Sequence, residues 1–133
     1  MVAGASRGAG RGIALALGAA GATVYVTGRT RRGGAPPPDG APGTIEDSAE
    51  EVSARGGHGI AVACDHTRAA AVAALFERVR RDHGGLNLLV NAVWGGNERY
   101  GAGHALLRAG DLATEYRFTD TDGRVIPPFE PPG

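Results

Sequence analysis

Glycines at positions 4, 8 and 10 separate a short apolar run, Met1-Val2-Ala3, from a stretch of helical periodicity. Glycine tolerates a sharp reversal of the backbone and leaves room for another backbone or a ligand to come close. A buried strand that enters such a turn and passes directly into a helix commits the chain to a βαβ beginning. From Ala9 to Ala20 the apolar positions Ile13, Leu15, Ala16, Leu17 and Ala20 recur at helical spacing, and Gly21 stands where a helix ends in a left-handed residue. Thr23-Val24-Tyr25-Val26-Thr27 is β-branched and aromatic, which predicts a strand.

The same alternation continues to residue 96. Residues 28–43 hold four prolines, several glycines and three arginines, a composition that predicts a flexible insertion loop. Thr44 with Asp47 approximates a capping box, and Ile45, Ala49 and Val52 carry a helix that closes at Gly56-Gly57. Gly59 to Cys64 reads as a second buried strand ending at Asp65. Val72, Leu75, Phe76 and Val79 make Ala69–His83 an amphipathic helix, stopped by Gly84-Gly85. Leu86 to Val90 reads as a further complete strand, leaving through Asn91-Ala92-Val93-Trp94-Gly95-Gly96. This layout predicts an α/β fold, a Rossmann-like doubly wound parallel sheet. Residues 1–96 would form the nucleotide-binding region and residues 97–133 an irregular tail, with a short strand at His104-Ala105-Leu106-Leu107.

Composition narrows the functional classes. Fourteen basic and fourteen acidic side chains cancel, so no field is available to hold nucleic acid or an anionic membrane. All the basic residues are Arg; the chain contains no Lys. The apolar stretch Ile13–Val26 is interrupted by glycines and is too short to span a bilayer. A single cysteine, Cys64, forms no internal disulfide, and with no leader in view a cytoplasmic setting is expected. His58, His66, His83 and His104 lack the spacing of a zinc site, so no metal is expected.

A glycine-rich turn between strand and helix also has a chemical use. Its free amides and the positive end of the helix suit a diphosphate, and the glycines let the backbone approach it. Gly4-Ala5-Ser6-Arg7-Gly8-Ala9-Gly10 resembles the TGxxxGxG element of the short-chain dehydrogenase/reductases, with Ala3 in place of the threonine. In that family the third strand ends in an acidic residue that contacts adenine, and Cys64-Asp65-His66 resembles that place. The fourth strand ends in an NNAG element, and Val90-Asn91-Ala92-Val93-Trp94-Gly95-Gly96 resembles a variant that keeps one asparagine. The resemblance implies that a nicotinamide dinucleotide is held by Gly4, Ser6, Arg7, Gly8, Ala9, Gly10, Arg29, Asp65, His66, Asn91 and Ala92. Taken singly, Asp65 also reads as a helix N-cap and Asn91 as a turn former.

Relatives that prefer NAD(H) usually end strand two in an acidic residue that holds the ribose hydroxyls. Gly28 occupies that place here, so a 2′-phosphate could sit between Arg7 and Arg29, and NADP(H) is expected in preference to NAD(H). The alternative is that Arg29, Arg31 and Arg32 are only a solvated loop. Hydride transfer in the family uses Ser, Tyr and Lys; here Tyr100 is followed four residues later by His104, and no Lys exists to lower a tyrosine pKa. No catalytic residue is therefore assigned. Leu106–Ala113 and Phe118–Gly123 resemble the family's C-terminus, which implies that the catalytic segment between the Asn91 loop and this terminus is absent and that the sheet is incomplete, with a short first strand and its later strands missing. The expectation is an oxidoreductase-like NADP(H)-binding protein without hydride-transfer chemistry. Alternatives are an interaction module that docks on itself or another chain through an exposed edge of strand four, or an active oxidoreductase with a non-standard acid such as Tyr116. Trp94 reads either as a cover for the nicotinamide ring or as a space filler.

Overall fold

The computed structural model describes residues 1–37 and 40–93. Trp94, Tyr100, His104, Tyr116, the strand expected at 104–107 and the rest of the tail lie outside the described residues. Within them the chain runs β1 (Val2–Ala3), α1 (Gly8–Ala19), β2 (Thr23–Gly28), α2 (Ile45–Ala54), β3 (His58–Ala63), α3 (Ala69–His83) and β4 (Val90–Asn91). All strand pairs are parallel, and the order across the sheet is β3-β2-β1-β4. This is a Rossmann-like doubly wound α/β fold.

Successive side chains of a strand point to opposite faces, and the core divides accordingly. Val2, Val24 and Val26 join Ala14 and Leu15 of α1 and Ile45, Ala49 and Val52 of α2 on one face. Met1 and Tyr25 join Cys64 and Leu75 and Val79 of α3 on the other. Between α1 and α2 there is no room for a side chain at Gly18, because an added Cβ would stand 2.8 Å from the Val52 carbonyl oxygen. Arg11 and Arg55 both pair with Glu51, which ties the outer surfaces of these two helices together. Each such pair is partly exposed and contributes little, about 0–1 kcal/mol.

Two strands differ from the sequence-based expectation. β3 is an edge strand, so its residues are half-buried or exposed and only Cys64, just past its end, is fully buried. β4 covers Val90–Asn91 rather than 86–90. A strand exists only where a neighbour completes its ladder, and β1 offers few residues. The Met1 amino group donates to the Leu88 carbonyl at 2.9 Å, Val90 N to Met1 O at 3.0 Å and Ala92 N to Ala3 O at 2.9 Å. Residues 86 and 87 have no β1 residue opposite them, and Leu88 and Leu89 are about half exposed, at 50% and 51%.

Candidate functional site

In a parallel sheet every strand ends on the same side, and here those ends are Gly4–Ser6, Gly28–Arg29, Cys64–His66 and Asn91–Ala92. The chain reverses its direction of travel across the sheet between β1 and β4, with α1 and α2 packed on one face and α3 on the other. Such a switch point opens a crevice at the carboxyl ends of the central strands.

The turn after β1 is built by three glycines with separate reasons. Gly4 has φ +78°, and an added Cβ would stand 2.5 Å from the Ala92 carbonyl oxygen, so the backbones of the β1 and β4 ends lie against each other. Gly10 starts the helix so close to the turn that an added Cβ would overlap the Gly4 carbonyl oxygen. Gly8 has φ +57°, yet an added Cβ would meet nothing within 4 Å. It is exposed together with Ala9 and faces open space. Gly4 N and Ala5 N both donate to the Thr27 carbonyl, at 2.9 and 3.1 Å, which moors the turn to β2. Ser6 is buried, and its carbonyl accepts from the Ser48 hydroxyl at 3.4 Å. At the start of α1 the N-cap Arg7 provides no side-chain cap, and the first turn holds no acidic residue. An uncapped helix start beside an open glycine fits a diphosphate, whose charge the amides and the helix dipole favour.

Arg7 donates from Nη2 to Thr30 Oγ1 at 2.6 Å, a partner that the sequence reading missed. Gly28 is buried; a Cβ there would stand 3.2 Å from Ile45 Cγ2 and 4.0 Å from Ser6 Cβ. Residue 28 thus carries no carboxylate and has little space for one. Arg29 is exposed and lies near Asp65. Arg32 turns away toward α2. Its guanidinium meets Asp47 Oδ1 at 2.6 Å and Glu50 Oε1 at 2.9 Å, and its backbone N–H donates to Glu46 Oε2 at 2.9 Å. The only cue in the sequence was the acidic opening of α2, Glu46-Asp47, with Glu50 one turn on.

Asp65 Oδ1 accepts from the Thr67 hydroxyl at 2.7 Å and from Thr67 N at 3.0 Å. These bonds, with Arg29 and Arg68, hold its carboxyl below the usual carboxylate range. The N-cap of α3 is Arg68, not Asp65. His66 points into the sheet: its Nε2 lies 3.0 Å from Thr27 Oγ1 and its Nδ1 3.8 Å from Cys64 Sγ. Burial lowers the His66 pKa and raises that of the Cys64 thiol. With the Thr27 hydroxyl donating to Val2 O at 3.4 Å, a neutral imidazole carrying its proton on Nε2 satisfies the chain of bonds. Asn91 Oδ1 accepts from Val93 N at 3.2 Å, the turn-forming role open to it. The structure therefore gathers Gly4–Gly10, Arg29, Asp65 and Asn91–Ala92 at one end of the sheet, while it engages His66 with Thr27 and Cys64. Among the described residues no three His, Cys, Asp or Glu side chains form a group that could hold a metal ion. No described helix is long and apolar enough to cross a membrane.

Comparison with known proteins agrees with this architecture. The short chain dehydrogenase family model matches residues 1–104. Dehydrogenase/reductase SDR family member 1 from Mus musculus is 43% identical over 97 residues, and so is its Homo sapiens counterpart. The match covers 72% of this chain, and the chain spans only 28% of the length of these curated relatives. A crystal structure of a short chain dehydrogenase from Mycobacterium thermoresistibile superimposes with a TM-score of 0.60 at 32% identity, covering 75% of this chain and 36% of that one. The glycine turn, the parallel sheet around it and these matches place the chain in the short-chain dehydrogenase/reductase family.

Proposed function

We propose that residues 1–96 bind a nicotinamide dinucleotide at the carboxyl end of the sheet, with NADP(H) preferred over NAD(H), and that this chain does not itself transfer hydride. The observation that carries the preference is the end of β2: Gly28 packs against Ile45 where a ribose-binding carboxylate would stand, and Arg7 and Arg29 flank it. A 2′-phosphate meets no carboxylate at residue 28 and can take charge-assisted hydrogen bonds from guanidinium groups. The diphosphate would lie over Gly8 and the amides of Gly8, Ala9 and Gly10, with Asp65 and Asn91–Ala92 bordering the adenine and nicotinamide sides. A bound dinucleotide would bring a transferable hydride, or an acceptor for one, to the site. The residues of this chain hold it, but none is a lysine able to lower a tyrosine pKa from about 10. The lone, buried Cys64 suits a reducing, cytoplasmic setting.

The test is titration of the purified chain with NADPH and separately with NADH, followed by Trp94 fluorescence and thermal shift. NADPH tighter by about tenfold or more, equivalent to about 1.4 kcal/mol, with no NADPH oxidation in the presence of assorted carbonyl compounds, is the expected result. Equal affinities would remove the preference, and turnover would remove the inactivity.

A second reading, an interaction surface at β4, is favoured by the half-exposed Leu88 and Leu89 together with Val93, 40% exposed. Among the described residues β4 is an edge of the sheet, and apolar edges invite pairing with another copy or another chain. Leu89→Glu should then lower concentration-dependent self-association in sedimentation velocity; unchanged sedimentation would exclude this face.

A further inference from the structure

We infer that Thr30 is a positioning residue for the 2′-phosphate, acting through Arg7; the inference rests on the NADP(H) reading above. An unrestrained arginine samples many rotamers, and fixing one costs up to about 2 kcal/mol of side-chain entropy. Thr30 Oγ1 accepts from Arg7 Nη2 at 2.6 Å, so the guanidinium is already directed toward the end of β2. The hydroxyl is itself held from behind. Ile45 N donates to the Thr30 carbonyl at 3.0 Å, which fastens the residue to the first turn of α2. That turn is closed by the reciprocal Thr44–Asp47 cap, and Arg32, two residues beyond Thr30, is bound to Asp47 and Glu50 of the same helix. A β-branched side chain adds a restricted χ1.

The chemical nature of the partner matters as much as its placement. A hydroxyl acceptor directs a guanidinium and adds no charge of its own. Two carboxylates offset the charge of Arg32, which makes that arginine a poor phosphate ligand. Arg7 has a hydroxyl among its acceptors, at the end of β2. Helix α2 thereby reaches the phosphate site through Thr30, although its own side chains do not touch the glycine turn's open face.

The experiment is a double-substitution cycle on the ratio of NADPH to NADH affinity, measured by calorimetry on the full chain. Each ratio is taken within one protein preparation, so a general loss of stability acts on both ligands alike. Thr30→Val is expected to lower the ratio by about three- to tenfold, the range of one hydrogen bond, and Thr30→Ser to restore it. In an Arg7→Gln background Thr30→Val should change the ratio no further. A Thr30→Val protein with an unchanged or raised ratio overturns the inference while the NADP(H) preference stands, and so does an equal effect with and without Arg7. An unmodified chain with a ratio near one overturns the preference and the inference together.

Discussion

A methyl group added at Gly10 would overlap the Gly4 carbonyl oxygen, whereas one added at Gly8 would meet nothing within 4 Å. The two glycines of one motif thus answer to different demands. Gly10→Ala should destabilise the fold by about 1–3 kcal/mol, the usual cost of forcing atoms into a filled space. Gly8→Ala should cost about 1–2 kcal/mol, through its left-handed backbone alone, while pointing its methyl group at the proposed diphosphate. Urea unfolding with and without NADPH separates the effects: the first variant loses stability without ligand, and the second also loses the ligand-induced gain. His66 provides a second residue-level expectation. Burial lowers its folded pKa below the ordinary value of 6.5, so between the two values the unfolded chain binds the extra proton. Its contribution to stability is complete above pH 6.5 and is lost as pH falls through the lowered folded value. His66→Gln should flatten the dependence of the urea midpoint on pH below pH 6.5; an unchanged slope would assign the acid sensitivity to other groups.

At the scale of elements, α1 and α2 begin in opposite ways. Thr44 Oγ1 accepts from Asp47 N at 3.1 Å, and the Asp47 carboxylate accepts from Thr44 N at 3.2 Å, so these two amides at the start of α2 are satisfied within the cap. The start of α1 has no such cap. Thr44→Ala is expected to cost about 1 kcal/mol in chemical denaturation, since the helix has no second side chain to replace that acceptor. Capping chemistry of this kind was legible in the sequence because it is local: Thr44 and Asp47 stand three residues apart, and α3 was read with both of its ends, Ala69 and His83, correctly placed. β4 was read too long because the extent of a strand belongs to its neighbour, here the few residues of β1, and the pattern Leu86–Val90 carries no record of that neighbour. The exposure of β3 is hidden for the same reason, since Gly59–Cys64 looks apolar whether it lies at the centre or at the edge.

For the molecule as a whole, the glycine spacing placed the turn between β1 and α1, and the alternation of elements brought Asp65 and Asn91 to the same end of the sheet. The Arg7–Thr30 bond spans the whole of α1 and β2, and the Arg32 clamp joins residues 14 and 15 positions apart across a proline-rich segment without periodicity, so neither is carried by a local pattern. The fold also gives β1 an unusual share of responsibility. It lies between β2 and β4, and the residues that pass from it into the turn bond to both sides: Gly4 N and Ala5 N to Thr27 O, Val90 N to Met1 O, Ala92 N to Ala3 O. The turn therefore cannot open by a local fluctuation that leaves the sheet intact. In hydrogen–deuterium exchange the amides of Gly4, Ala5, Val90 and Ala92 should be released together, near the free energy of global unfolding. A dinucleotide bound over Gly8 should slow all four by one common factor, so that ligand affinity can be read from amides whose hydrogen bonds lie within the sheet.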